Sequence, residues 1–484
     1  MTPLSLRITP RKRSYLAGEG ILLDIEHAVS SPLDMETVEL NRERTAVLIA
    51  PAALPEQVQI LTGADYAALH RIPLLQGIGS AFHAAAGSVF SSYLELAAFR
   101  KALAAGGYRI AVRYRYGATA EETIDSNWVE ISILPASTLG LRSTWFAGAD
   151  PRAELASLWT AEATPQDPRL LYRVARRHDP AAVLVATDIG AARAGTGAPV
   201  LGHLNDIGAM HFLRYAVWLE PGGIGLQKIH AYGVVAPVEF VGMELAQTPS
   251  PALVLPALQR RDDSLVVLVR GLDRRGRGVL WRVFRPTDGA PQSQLIPFER
   301  AAQTTHAVVL WDNDEEGLHG RVVFATGADE AGVSRLYVLD LDGGAMHELL
   351  STSDRLLTVL VDQGLARGQV FLLRRGPEAF TVSAFAFDTL QASSEAVLSF
   401  ATLDLGAAPP DPVDVVARPE EAALSLLFRA EDAWLVIHPT RKVLVPFDVV
   451  AADAAPQLVS TPRRGVFLLF ADASTGLEAV QAES

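Results

Sequence analysis

Several side-chain groups are spaced as chemistry would need them. Along Gly107–Gly117 the arginines Arg109, Arg113 and Arg115 share one face of a strand-like stretch, with Tyr108, Ile110, Val112, Tyr114 and Tyr116 on the other. Guanidinium groups on an exposed sheet suit an anionic partner, and the same alternation equally makes a solvated face over a tyrosine core. A second basic group, Arg274, Arg275 and Arg277, sits in the glycine-flanked connection Gly271–Gly278. On an acidic chain such a tip suits a partner contact or a charge-solubilised hairpin. Asp312, Asp314 and Glu316 before Gly317 have the spacing of a calcium loop. The twelfth position, where a bidentate acid belongs, is Val323, so the stretch reads as an acidic hairpin tip. His203, Asn205, Asp206 and His211 cluster in one turn-like segment without the helical or tetrahedral spacing of a zinc set. His306, Arg355, Asp411 and Gln457 each stand near the start of an apolar segment, where distant parts of a chain can converge.

No Gly-x-Ser-x-Gly elbow, Walker loop or His-Glu-x-x-His motif occurs, and Gly195-x-Gly197 lacks the third glycine of a dinucleotide fingerprint. No catalytic residue, cofactor or metal is therefore assigned.

The elements that must hold these groups are strands. Seven apolar segments begin at Leu170, Phe212, Leu265, Arg321, Gln369, Leu424 and Val466. Each is followed by a second, near Val183, Leu226, Leu280, Leu336, Phe380, Trp434 and Leu477. Strands before most pairs (Pro251, Thr305, Arg355, Pro412, Gln457) and after some (Leu295, Val443) complete a four-strand unit. The unit recurs about every 42 to 56 residues, the range of propeller blades. Its strands are apolar on both faces, as sheets packed between neighbours must be.

The clearest copy is Arg335–Gly344, RLYVLDLDGG, a strand running into the Asp342-Gly343 turn. It resembles the repeat of TolB-like (PD40-type) propellers, whose blades often carry a tyrosine-containing strand ending in Asp-Gly-Gly. The resemblance implies a β-propeller. The last copy lacks an outer strand, so Thr138–Ala147 is expected to pair beside Leu477–Val480 and close a ring.

Before the repeats, short strands begin at Leu4, Gly20 and Thr37, followed by Gly107–Gly117 and a strand from Trp128 to Leu134 before Pro135. They resemble a bacterial immunoglobulin-like β-sandwich. Ala64–Arg71 and Ser92–Ala105 have helical spacing. Pro151–Pro168 carries one more possible helix, Ala153–Thr160, and reads as linker or as the inner strand of the first blade. The expected fold is thus all-β: an Ig-like β-sandwich over residues 1–136, then a seven-bladed β-propeller over 137–484.

Composition bounds function. The 484-residue chain is 49% hydrophobic and has net charge −13, which argues against nucleic acid and anionic membrane as partners. It has no cysteine, so thiolate and disulfide chemistry are excluded. No charge-free apolar run is long enough to span a membrane. The first residues do not read as a signal peptide, and a cytoplasmic placement is expected, as for a chain without a leader or one trimmed of it. The reading is a non-catalytic scaffold that binds other proteins, a subunit of a larger bacterial assembly. The alternative is a propeller enzyme or small-ligand binder using a central channel lined by His306, Arg355, Asp411 and Gln457.

Overall fold

The computed structural model describes residues 3–35, 44–70, 82–96, 99, 103–116, 122–135, 137–145, 154–162, 168–176, 179–191, 200–203, 214–220, 222–229, 236–243, 254–258, 264–286, 289–313, 318–362, 369–386, 388–403, 409–418, 423–438, 441–461, 465–472 and 476–482. It is nearly all β, with 65% strand and 3% helix. Two compact units emerge. One comprises Met1–Gly140, Trp159–Ala192 and Ala471–Glu478; the other comprises Leu141–Leu158, Arg193–Phe470 and Ala479–Ser484.

The N-terminal strands are β1 (Leu4–Pro10), β2 (Ser14–Leu16), β3 (Leu22–Val29), β4 (Leu33–Met35), β5 (Thr45–Pro51) and β6 (Gln59–Leu61). Helix α1 (Gly63–His70) precedes β7 (Phe82–Ala84), β8 (Val89–Glu95), β9 (Gly106–Arg115), β10 (Thr123–Asp125) and β11 (Val129–Leu134). They form a sheet β1-β3-β8 and a sheet β2-β11-β9-β5-β6, with β10 on β9 and a small β4-β7 pair. Alternation decides the inward face: Leu4, Leu6 and Ile8 of β1 and Ile110, Val112 and Tyr114 of β9 enter one core. The two sheets thus close on each other through a single apolar layer. The Ala64–Arg71 segment is helical through His70, as expected. Of Ser92–Ala105, also expected to be helical, Ser92–Glu95 end β8, Leu96, Phe99 and Leu103 bury into the core, and residues 97, 98 and 100–102 lie outside the described residues.

Next come β12 (Ser137–Trp145), β13 (Glu154–Glu162), β14 (Pro168–Arg176) and β15 (Asp179–Ala191) in one sheet. Of the readings open for Pro151–Pro168, the described part is a strand, β13, second in its sheet, rather than a helix. This strand gives β12 an adjacent partner, so Thr138–Ala147 does not pair beside Leu477–Val480 as expected; its described part is the edge of this sheet. Arg173 of β14 is buried, which lowers its pKa to about 10 against the opposing charge of Glu478 near the C-terminus.

Five further four-stranded sheets follow, each in chain order. The first holds β16 (Val200–His203), β17 (Arg214–Glu220), β18 (Gly223–Ile229) and β19 (Glu239–Gly242). The second holds β20 (Val254–Leu258), β21 (Leu265–Leu272), β22 (Gly278–Arg285) and β23 (Gln292–Pro297). The third holds β24 (Thr304–Asn313), β25 (Leu318–Thr326), β26 (Ser334–Asp340) and β27 (Met346–Thr352). The fourth holds β28 (Arg355–Asp362), β29 (Gln369–Arg375), β30 (Ala379–Ala386) and β31 (Ala392–Ser399), followed by α2 (Phe400–Leu403). The fifth holds β32 (Asp414–Arg418), β33 (Ala423–Arg429), β34 (Ala433–His438) and β35 (Arg441–Pro446). A sheet of three strands ends the chain: β36 (Gln457–Thr461), β37 (Gly465–Asp472) and β38 (Gly476–Gln481).

The first strands of consecutive sheets lie side by side, β16 by β20, β24 by β28 and β32 by β36. Second strands are buried on both faces, and adjacent residues serve different neighbours. Val322 and Phe324 of β25 pack with Leu268 and Leu280 of the preceding sheet. Val323 and Ala325 pack with Val370 and Leu372 of the following one. Full burial of each such Leu or Phe stabilises by roughly 1.5–3 kcal/mol. Fourth strands are solvated: β23, β27 and β31 expose most of their residues.

Candidate functional site

The end of each sheet where the first strand begins also carries the turn between its second and third strands. Register requires this: His306 at the start of β24 pairs with Ala325 near the end of β25, and Thr326 there pairs with Arg335 at the start of β26. At this end a cavity of about 600 Å³ opens among β24, β28 and β32. That volume is in the range of small-ligand sites. His306, Arg355 and Asp411 all line it, with Thr305, Leu357 and Val413. Three of the four residues expected at strand starts are therefore brought together. Gln457 begins β36 and is not in the lining among the described residues.

Two β-bulges shape the wall. Pairing of β24 with β25 shifts between Thr304 and His306, and pairing of β28 with β29 shifts between Leu356 and Thr358. The extra residues are Thr305 and Leu357, both in the lining. A bulge turns a side chain out of strict alternation, and here two sheets use the same device at the same place. Behind β24, the buried Arg270 of β21 donates from Nη1 to the Thr304 carbonyl and so anchors the strand start.

Asp411 is the electrostatic centre. Arg355 Nη2 donates to its Oδ2, and Arg375 Nη1 donates to its Oδ1 at 2.7 Å. Arg375 is held in turn over the rings of Phe380 and Phe400, 5.8 and 5.6 Å from their centroids. Burial pushes the Asp411 carboxyl upward, but the hydrogen bonds and charges of the two arginines outweigh it and hold it below the usual carboxylate value. The side chains of Arg355 and Asp411 are 59% and 41% exposed. Their pair is worth no more than about 1 kcal/mol after solvent screening. The neighbouring Asp414 accepts the backbone N–H of Leu458 at 2.6 Å.

His306 is half-buried, and burial holds its pKa below the ordinary histidine value, so it is neutral at pH 7. Its Nδ1 lies 3.2 Å from Thr305 Oγ1, which is 3.3 Å from the Ala325 carbonyl oxygen. The hydroxyl proton goes to that carbonyl or to the ring according to the histidine tautomer. An ionised, doubly paired carboxylate is a poor proton donor at neutral pH. The arrangement can recognise charge and shape.

Arg274, Arg275 and Arg277 lie at the same end, on the turn between β21 and β22. Asp273 organises that turn. Its carboxylate accepts the N–H groups of Arg275 and Arg277 at 2.8 and 2.9 Å, and Arg277 Nε at 2.8 Å. The backbone N–H groups of Ala331 and Val333 donate to Asp329 in the same way one sheet later, at 2.9 and 3.0 Å. Gly276 and Gly332, at φ 75° and 72°, take the left-handed position in each turn. Arg277 is therefore structural, while Arg274 and Arg275 are exposed at the tip.

The N-terminal arginines are tied to their own sheet. Arg113 pairs with Asp125 of β10 at 2.6 Å. Arg109 lies 3.8 Å from Glu130 and sits over the Trp128 ring at 5.3 Å. Arg115 is half-buried at the end of β9. They form no open basic face. Asp312 is a strand residue of β24 opposite His319. Asp314, Glu316 and Gly317 lie outside the described residues. His203 ends β16, and Asn205, Asp206, His211, Gly195 and Gly197 also lie outside the described residues.

Sequence reading missed Arg375, Thr305 and Asp414. The doublet Arg374-Arg375 ending the apolar run of β29 was the available signal for the first. A bulge residue carries none, because it exists only through register.

No protein-family model matches the chain, and no curated protein matches it. Among solved structures it is similar to AofleA from Arthrobotrys oligospora, at 9% identity and TM-score 0.38, covering 63% of this chain and 90% of that one. It is also similar to the Dos1 propeller, at 10% identity and TM-score 0.36, covering 70% and 79%. An auxiliary nutrient binding protein from Bacteroides thetaiotaomicron VPI-5482 matches at 10% identity and TM-score 0.33, covering 99% and 98%. No helix among the described residues is long and apolar enough to cross a membrane.

Proposed function

We propose that the chain is a non-catalytic interaction protein, a subunit of a larger bacterial assembly, built as an immunoglobulin-like sandwich followed by a seven-bladed β-propeller. The propeller reading rests on the succession of chain-ordered four-stranded sheets with adjacent first strands and solvated fourth strands. The functional reading rests on one observation. His306, Arg355 and Asp411 come from three sheets to one cavity, and the carboxylate there is neutralised by two arginines rather than poised for proton transfer. Recognition then uses the sheet end that bears the cavity and the exposed tip of Arg274 and Arg275.

A photo-crosslinking residue placed at Arg275 or Val413 should capture a partner from the native host. The same probe at Leu295 or Leu444, on the solvated fourth strands, should not. Equal capture from both sets, or capture from the fourth strands alone, would refute this choice of surface.

A further inference from the structure

We propose that the cavity takes a carboxylate carried on a short apolar body, with Arg355 receiving the charge. This deepens the reading above and rests on it, since it assumes that the cavity end of the sheets is the recognition surface.

The unused donors of Arg355 are the first support. Arg355 and Arg375 share the single carboxylate of Asp411. Arg375 is spent: it pairs with Asp411 and packs on Phe380 and Phe400. Arg355 is more than half exposed and gives Asp411 one nitrogen, Nη2. Its Nε and Nη1 donors have no acceptor among the described residues. A guanidinium presents its donors as a planar fork, matched to the two oxygens of a carboxylate.

The acids nearby do not invite a cation instead. Both oxygens of Asp411 accept from arginine, and Asp414 Oδ2 accepts from Leu458 N–H. The apolar lining sets the second half of the ligand. Leu357 is put into the wall by its bulge, and Val413 is 51% exposed beside Asp411. An exposed valine in a cleft wall favours an organic acid over a bare oxyanion, because an inorganic ion would leave that surface wet. The carboxylate has two possible sources, a free organic acid or the C-terminus of a partner chain, and the chemistry at Arg355 is shared.

Calorimetric titration of the full chain separates them. The probes are hexanoate, the tripeptide acetyl-Ala-Ala-Leu with a free C-terminus, and the same tripeptide as its C-terminal amide. Both acids should bind at millimolar concentration or better, and the amide should bind roughly tenfold or more weakly, the weight of a charge-assisted pair. A tripeptide acid tenfold tighter than hexanoate assigns the site to a partner C-terminus, and the reverse order assigns it to a free acid. Arg355→Gln should lose the same tenfold, and Arg355→Lys should fall between, keeping charge without the fork. Val413→Glu should abolish acid binding by repulsion and serves if an Arg355 variant misfolds. Amide and acid binding alike, neither acid binding, or an Arg355→Gln chain that binds normally would each overturn the proposal. Crosslinking from Arg275 does not depend on the cavity ligand, so its survival in that event would leave the interaction surface standing.

Discussion

Lowering the pH should loosen the N-terminal sheets through one residue, His27. It lies on β3 with 0% exposure, edge-on to Tyr114 with ring centroids 5.8 Å apart. Neither ring nitrogen has a hydrogen-bond partner among the described residues. Burial lowers its pKa to about 4, and the backbone of Phe90 opposes this more weakly. In the unfolded chain the value returns to 6.5. A depressed histidine binds its proton more readily when unfolded. Its contribution is therefore complete above pH 6.5 and is lost as pH falls toward 4. The full span is on the order of 3 kcal/mol, and roughly 2 kcal/mol of it is lost between pH 7 and pH 5. Hydrogen exchange on the whole chain, followed in peptides covering β3 and β9 and corrected for intrinsic rate, measures the local opening free energy. Wild type should lose roughly 2 kcal/mol over that interval beyond any loss in His27→Leu. The difference between the two profiles isolates the histidine, because every other titrating group is common to both. Parallel profiles would show that His27 is hydrated or paired, and the reasoning would fail.

Two glycines two places apart should behave differently. Gly276→Ala meets only the left-handed backbone at φ 75°, with nothing within 4 Å of the new carbon, and should cost about 1 kcal/mol. Gly278→Ala would set a carbon 2.0 Å from the Phe298 carbonyl oxygen and should lower the urea midpoint several times further; equal shifts would contradict the close approach. Arg270→Ala removes a buried guanidinium from the Thr304 carbonyl and should destabilise by about 3 kcal/mol in the same titration, whereas a neutral result would mean that the β24 start is held otherwise. Asp411→Asn should cost no more than about 1 kcal/mol at pH 7. Because the folded carboxyl is held below its ordinary 3.8, the gap between wild type and variant should close as pH falls through that range, and a gap that widens would reverse the assigned sign.

The strands were legible because their composition leaves few alternatives. An apolar run such as LVVLV at Leu265, bounded by Ser264 and Gly271, has no polar face for a surface helix. Glu154–Glu162 was harder. Its Leu155 and Leu158 suit a helix by spacing, and only the neighbouring strands β12 and β14 make it extended. The same uncertainty misplaced Thr138–Ala147, whose partner could be found only after β13 was known to be a strand. At the site, His306, Arg355 and Asp411 were visible as strand-start residues because each precedes an apolar run. Their convergence follows from how sheets lie side by side, which no spacing encodes. The arginines of β9 illustrate the converse: alternation placed them on one face, but Asp125 and Glu130, which neutralise Arg113 and Arg109, come from strands whose register the sequence does not state.

The double burial of the second strands governs how the chain can come apart. In β25, Val322 and Phe324 belong to one apolar layer and Val323 and Ala325 to the next, so no sheet owns a complete core. Pulling one sheet away strips a wall from two layers at once, and the exposed neighbours are then half unwrapped. Nearest-neighbour coupling of this kind makes stability a sum over the sheets and the layers they share, so losing one sheet weakens both of its neighbours. A protease cut between β27 and β28 would leave each fragment with a bare face of Val, Leu and Phe. Truncations at sheet boundaries, although tidy on paper, are therefore the ones most prone to aggregate.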